Sequence, residues 1–114
     1  MVVYGNRQCT VGVEMSGDIN KITFEIPSDI VKVGNTVDIL VRPALGICWK
    51  TSYDFTADQT ANKNLTAMTK VGSDSNTMKY KVGGNVVSFE YKNGDGANVD
   101  NDSVVALVYH RNFN

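Results

Sequence analysis

Clustered positive charge is missing from this chain. Its 114 residues carry 11 Lys and Arg against 12 Asp and Glu, a net charge of −1. A nucleic-acid partner asks for a strongly basic face. The nearest approach is Lys79, Lys81 and Lys92, with Glu90 among them, so we expect no nucleic-acid partner. Histidine and cysteine are scarce too, at one and two residues. Catalytic triads and most zinc sites need a histidine with placed partners. No Cys-x-x-Cys or His-x-x-x-His spacing accompanies His110. A Gly-x-Ser-x-Gly motif and a phosphate-cradling loop are also absent. Gly94 and Gly96 are a fragment of a dinucleotide fingerprint without its remainder. These gaps lead us to expect no enzyme, with no catalytic residue, no cofactor and no metal ligand. No apolar run approaches the roughly 20 residues of a membrane helix, and no membrane partner is expected. The first residues, Met1 to Arg7, lack a basic region followed by an apolar stretch and do not read as a secretory signal.

What is present is alternation. Ile22, Phe24 and Ile26 alternate with Lys21, Thr23 and Glu25, and Pro27 ends the run. Val37, Ile39 and Val41 alternate with Asp38 and Arg42, Leu40 breaks the polar side, and Pro43 ends that run. Ile47, Trp49, Thr51, Tyr53 and Phe55 alternate with Cys48, Lys50, Ser52 and Asp54. A period of two over so many segments predicts an all-β chain. Hydrophobic residues make up 42% and charged ones 20%, a globular balance, and the length suits one core. We therefore expect residues 1–114 to form a single β-sandwich domain. It would be a two-sheet antiparallel sandwich, immunoglobulin-like or jelly-roll-like, of about eight strands.

Local turns give partial pairings. With Gly83-Gly84 as a two-residue loop, Val82 faces Asn85, Tyr80 faces Val87, Met78 faces Phe89 and Lys79 faces Ser88. A one-residue slip would destroy the apolar agreement. Val11–Met15 and Ile22–Ile26, joined through Ser16-Gly17-Asp18, read as an antiparallel pair. Residues 56 to 71 are ambiguous. Thr56 and Gln59 have capping-box spacing, while Leu65, Ala67, Thr69 and Val71 alternate as in a strand. At most one short helix is expected, near residues 56–64. The stretch Val31-Lys32-Val33-Gly34-Asn35-Thr36-Val37-Asp38-Ile39-Leu40-Val41 resembles a strand-turn-strand segment common in immunoglobulin-like domains. It covers about a tenth of the chain. The Cys-Trp-Cys arrangement of true immunoglobulin domains is absent, because Trp49 adjoins Cys48.

The two cysteines, Cys9 and Cys48, fall on opposite strand phases. Cys9 shares a face with Val11, Val13 and Met15, and Cys48 with Lys50, Ser52 and Asp54. Such a pair cannot be bridged without a bulge, which Gly46 is placed to supply. Free thiols are the expectation. The loop Asn93 to Asp102 packs oxygen donors as hard cations require and superficially resembles a calcium loop of the EF-hand or dockerin kind. Tyr91 then occupies the first ligand position, where a carboxylate belongs, so a polar turn is the better reading. Trp49, Tyr53, Tyr80 and Tyr91 would make a sugar-stacking platform if exposed. Each alternates with charged or small polar residues, which assigns all four to the core. Tyr4 and Tyr109 are less committed.

The last strand-like stretch stands apart. Val104, Ala106 and Val108 alternate with Val105, Leu107 and Tyr109, so it is apolar on both faces. A sheet with one wet face covers only one of them. Something else must cover the other. Val104, Val105, Leu107, Tyr109 and His110 are therefore the candidate interface residues. The body is rich in Asn, Thr, Val and Gly and poor in Glu, Leu and Arg, as in extracellular proteins. Synthesis in the cytoplasm with use outside cells, as for virion components, would reconcile this with the N-terminus. The expected role is a structural subunit, a capsid decoration, fibre or tail component, or another extracellular assembly protein. Its partners would be further copies of itself or a larger protein assembly. A carbohydrate-binding module using exposed aromatics is the alternative, with a glycan as partner.

Overall fold

The computed structural model describes the backbone of residues 2–5, 8–56, 64–100 and 103–110, and the side chains of 17–23, 25–56 and 64–100. The expected helix near residues 56–64 lies mostly outside the described residues, among which no helix occurs. Ten strands do: β1 (Val2–Gly5), β2 (Gln8–Ser16), β3 (Thr23–Glu25), β4 (Thr36–Pro43), β5 (Cys48–Asp54), β6 (Thr66–Ala67), β7 (Thr69–Val71), β8 (Thr77–Gly83), β9 (Val86–Lys92) and β10 (Ser103–His110). They form two sheets, one in the order β1-β2-β10-β4-β5-β7 and the other β3-β9-β8-β6. Every pairing is antiparallel.

The alternation read from the sequence becomes alternating burial. Val37, Ile39, Val41 and Pro43 of β4 are buried, as are Trp49 and Tyr53 of β5. In the other sheet the buried set is Met78, Tyr80 and Val82 of β8 with Val87, Phe89 and Tyr91 of β9. The two sets share one core, completed by Ile19, Ile26, Ile30, Phe55 and Met68 from the connections. Rings meet edge to face across it. Trp49 and Tyr91 lie 6.3 Å apart, and Tyr53 lies 6.4 Å from Tyr80, a geometry that aligns ring edges with π faces. Trp49 is 1% exposed, and among the described residues its Nε1 has no hydrogen-bond partner. Such a group costs about 1–3 kcal/mol.

Several local expectations need correction. The β8–β9 hairpin turns at Gly84-Asn85, with Gly83 opposite Val86, Val82 opposite Val87, Tyr80 opposite Phe89 and Met78 opposite Tyr91. Gly84 supplies the positive φ, at 62°. This register matches three apolar pairs and sets Lys79 directly opposite Glu90, whereas the expected one left Val82 facing Asn85. β2 and β3 do not pair; they belong to different sheets, and the turn after Gly17 carries the chain from one to the other. Residues 31–33 form no strand, so only the second half of the strand-turn-strand resemblance is realised. In residues 65–71 the phase is reversed. Leu65, Ala67, Thr69 and Val71 are exposed, while Met68 is buried and its N–H donates to the Met78 carbonyl. Met68 marks a change of sheet: β6 pairs with β8, and β7 pairs with β5. One segment thus covers an edge of each sheet.

A side chain does similar work on the opposite flank. Tyr91 N–H donates to Asn20 Oδ1 at 2.8 Å, and Asn20 Nδ2 donates to the carbonyls of Tyr91 and Val99, both at 3.2 Å. The carboxamide imitates a neighbouring strand where β3 no longer reaches β9, so buried backbone groups stay paired.

Candidate functional site

The candidate interface residues all lie on β10, which occupies the interior of the six-stranded sheet between β2 and β4. Residues directly opposite each other in an antiparallel ladder belong to the same side of the sheet, so the register sorts β10 into two sets of rows. Val104, Ala106, Val108 and His110 stand opposite Pro43, Val41, Ile39 and Val37, all buried. Val105, Leu107 and Tyr109 stand opposite Arg42, Leu40 and Asp38. Arg42 is exposed, and Leu40 and Asp38 are half-buried. The five candidates therefore divide. Val104 and His110 share rows with the core, and Val105, Leu107 and Tyr109 share rows with the outward residues of β4.

Those outward rows continue onto β5. Lys50 stands opposite Leu40, Ser52 opposite Asp38 and Asp54 opposite Thr36. Lys50, Ser52 and Asp54 are exposed. Two hydroxyls fix the carboxylates: Ser52 Oγ donates to Asp38 Oδ1 at 2.6 Å, and Thr36 Oγ1 donates to Asp54 Oδ1 at 2.7 Å. The outward face near β10 thus combines an apolar centre with ordered acidic groups and two cations. Sequence reasoning named Arg42, Lys50, Asp38 and Asp54 only as polar positions. The short connection from Ala44 to Ile47 was the available signal, because it makes β4 and β5 neighbours and brings these charges onto one surface.

The other candidates fall elsewhere. Trp49, Tyr53, Tyr80 and Tyr91 are between 1% and 7% exposed, so these four rings form no external platform. Tyr91 Oη instead accepts a hydrogen bond from Asn76 Nδ2 at 3.1 Å. Gly46 makes room for it, since a Cβ there would stand 2.9 Å from Tyr91 Oη. In the Asn93 loop the Asn93 Oδ1 accepts from the N–H groups of Asp95, at 2.9 Å, and Ala97, at 3.1 Å. Its amide oxygen is thereby engaged in holding the turn. Among the described residues no group of three or more His, Cys, Asp or Glu is gathered for a metal ion.

Cys48 carries a free thiol. Strand order gives a firmer reason than phase: β10 and β4 stand between the strands of Cys9 and Cys48. Three strand spacings amount to about 14 Å, beyond the roughly 7 Å Cα limit of a disulfide. Comparison with protein families, with curated proteins and with solved structures found no match.

Proposed function

We propose that this chain is a non-enzymatic building block: a β-sandwich domain, immunoglobulin-like or jelly-roll-like, that joins a virion or other extracellular assembly. Its contact surface is the outward face of the six-stranded sheet around β10. One observation carries the reading. The core needs one set of β10 rows, yet the sequence is apolar in both, and the second set aligns with the outward residues of β4. Apolar rows set beside the exposed Arg42 and Lys50 favour a protein partner. The glycan-binding alternative loses support, because the rings it relied on are core residues.

Adjacent substitutions test this. Val104→Asp, in the row of buried Pro43, should abolish cooperative folding. Val105→Asp, in the row of Arg42, should retain the wild-type melt and lose assembly, read by sedimentation and by negative-stain images of the protein and its source particle. A wild-type chain that stays monomeric and sits on no particle would overturn the reading.

A further inference from the structure

We propose that two copies of this chain join as a lap joint, each filling the step that the other leaves across from β1 and β2. The inference goes beyond the outward-face reading and uses none of its residues.

The unequal sheets carry it. One has six strands and the other four. They are flush on one flank, where β7 and β6 are the outermost strands and Met68 alone separates them in sequence. The rings agree. Tyr53 on β5 meets Tyr80 on β8, each strand being second from that flank, and Trp49 on β5 meets Tyr91 on β9. Strand spacing is the same in both sheets, so counting on sets β4 across from β9 and β10 across from β3. There the smaller sheet ends. Among the described residues no strand lies across from β2 and β1. Their inward rows are nevertheless apolar. Met15, Val13 and Val11 stand opposite Val104, Ala106 and Val108, in the rows of buried Pro43, Val41 and Ile39. Val2 and Tyr4 extend that side of the sheet opposite Val11 and Cys9. An apolar side of a sheet needs a cover.

The missing cover is two strands wide, apolar on one side, and has a free edge to set beside β3. The β1–β2 pair of a second copy meets all three conditions. A two-fold axis parallel to the strands, midway between the layers, puts β1 of each copy over β2 of the other. Each layer then runs from β6-β8-β9-β3 of one copy into β1-β2-β10-β4-β5-β7 of its partner. Both open edges of this flank close together. The flush flank is guarded: β6 and β7 are two and three residues long, and Lys70 lies on β7. β1 has four residues, none of them charged or proline. The directions are compatible. β6 and β7 form one run, so their antiparallel partners β8 and β5 point the same way. Followed through the ladders, β1 and β3 do too, and both lie toward the end that holds Asp54, Gly84 and His110. They would pair in parallel. The six inward-row residues of β1 and β2, at roughly 60–120 Å² each, give on the order of 1,000 Å² over both copies, the size at which a specific contact begins. The arrangement is isologous and closes at two copies, with both outward faces left outside.

Sedimentation equilibrium and hydrogen exchange on the full chain test the joint. The wild type should be a dimer at micromolar concentration, and the amides of residues 2–5 and 23–25 should gain protection together as it forms. Val2→Lys and Tyr4→Lys put an inward charge on the outermost strand, a device that blocks such contacts. Each should weaken the dimer by about tenfold or more and leave the melt of the dilute protein near that of the wild type. Val3→Lys, in the outward rows of the same strand, should leave the dimer as it was. A wild-type monomer overturns the joint and leaves the outward-face reading to its own test. So does a monomer whose flank closes only in its source particle, since the occupant is then another chain. A dimer that survives both inward lysines, or forms with residues 2–5 and 23–25 unprotected, overturns it as well, because another surface then makes the contact. If both inward variants lose the folded melt, the wild-type exchange decides: joint protection upholds the proposal and its absence overturns it.

Discussion

The two outward faces of the molecule obey the same alternation and differ in what they present. On the four-stranded sheet the outward rows hold Thr77 with Lys92, Lys79 with Glu90, and Lys81 with Ser88 and Thr23. Val86, beside the turn and 37% exposed, and the small Ala67 beside Lys79 are apolar residues of these rows. On the six-stranded sheet the corresponding rows hold Leu40 and, by register, Val105, Leu107 and Tyr109. Folding requires apolar side chains only on the side that meets the core. The first face meets that requirement and stops. The second goes further, and the excess is intelligible as a contact surface.

Substitutions of increasing delicacy probe the contrast. The largest effect is expected at Val41, which is 0% exposed. Val41→Asp buries a charge without a partner and should cost more than about 4 kcal/mol, seen as a lost urea transition. Its neighbour Leu40, on the other side of the same strand, should behave oppositely. Leu40→Asp should lower stability by less than about 1 kcal/mol while removing assembly through the outward face. Between these lies Asn20→Ala. It leaves Tyr91 N–H without its acceptor and should cost about 1–3 kcal/mol, with faster hydrogen exchange at Tyr91 as the local readout. Gly46→Ala forces a Cβ against Tyr91 Oη and should cost about 1–3 kcal/mol. The smallest effect belongs to the lysine-bearing face. Lys81→Glu should change stability by no more than about 0.5 kcal/mol and leave association as it was. An association loss as large as that of Leu40→Asp would erase the distinction between the faces.

Alternation was legible because side-chain burial follows a period of two wherever one side of a sheet is covered. That is why Val37, Ile39, Val41, Trp49, Tyr53 and the β8–β9 residues were correctly assigned to the core. Register was harder. Moving the two-residue loop from Gly83-Gly84 to Gly84-Asn85 shifts every partner by two positions, so each residue keeps its side of the sheet. Alternation alone cannot separate those two registers. The full set of pairs can, because only the observed one sets Met78, Tyr80 and Val82 against Tyr91, Phe89 and Val87. Strand order was out of reach for a different reason. Val11–Met15 and Ile22–Ile26 look like hairpin partners, yet the chain changes sheets between them, with Ile19 entering the core and Asn20 securing β9. Nothing local in the sequence announces that crossover. The outward charges of β4 and β5 were visible one at a time. Only the pairing of the two strands sets Lys50 beside Leu40, Ser52 beside Asp38 and Asp54 beside Thr36.

Hydroxyl-radical footprinting, read by mass spectrometry over a concentration series, addresses the contact surface most directly. Labelling of Leu40, Leu107 and Tyr109 should fall as the chains associate, while labelling of Val86 on the other sheet stays constant. Equal labelling of both faces at every concentration, and in the intact source particle, would contradict the account.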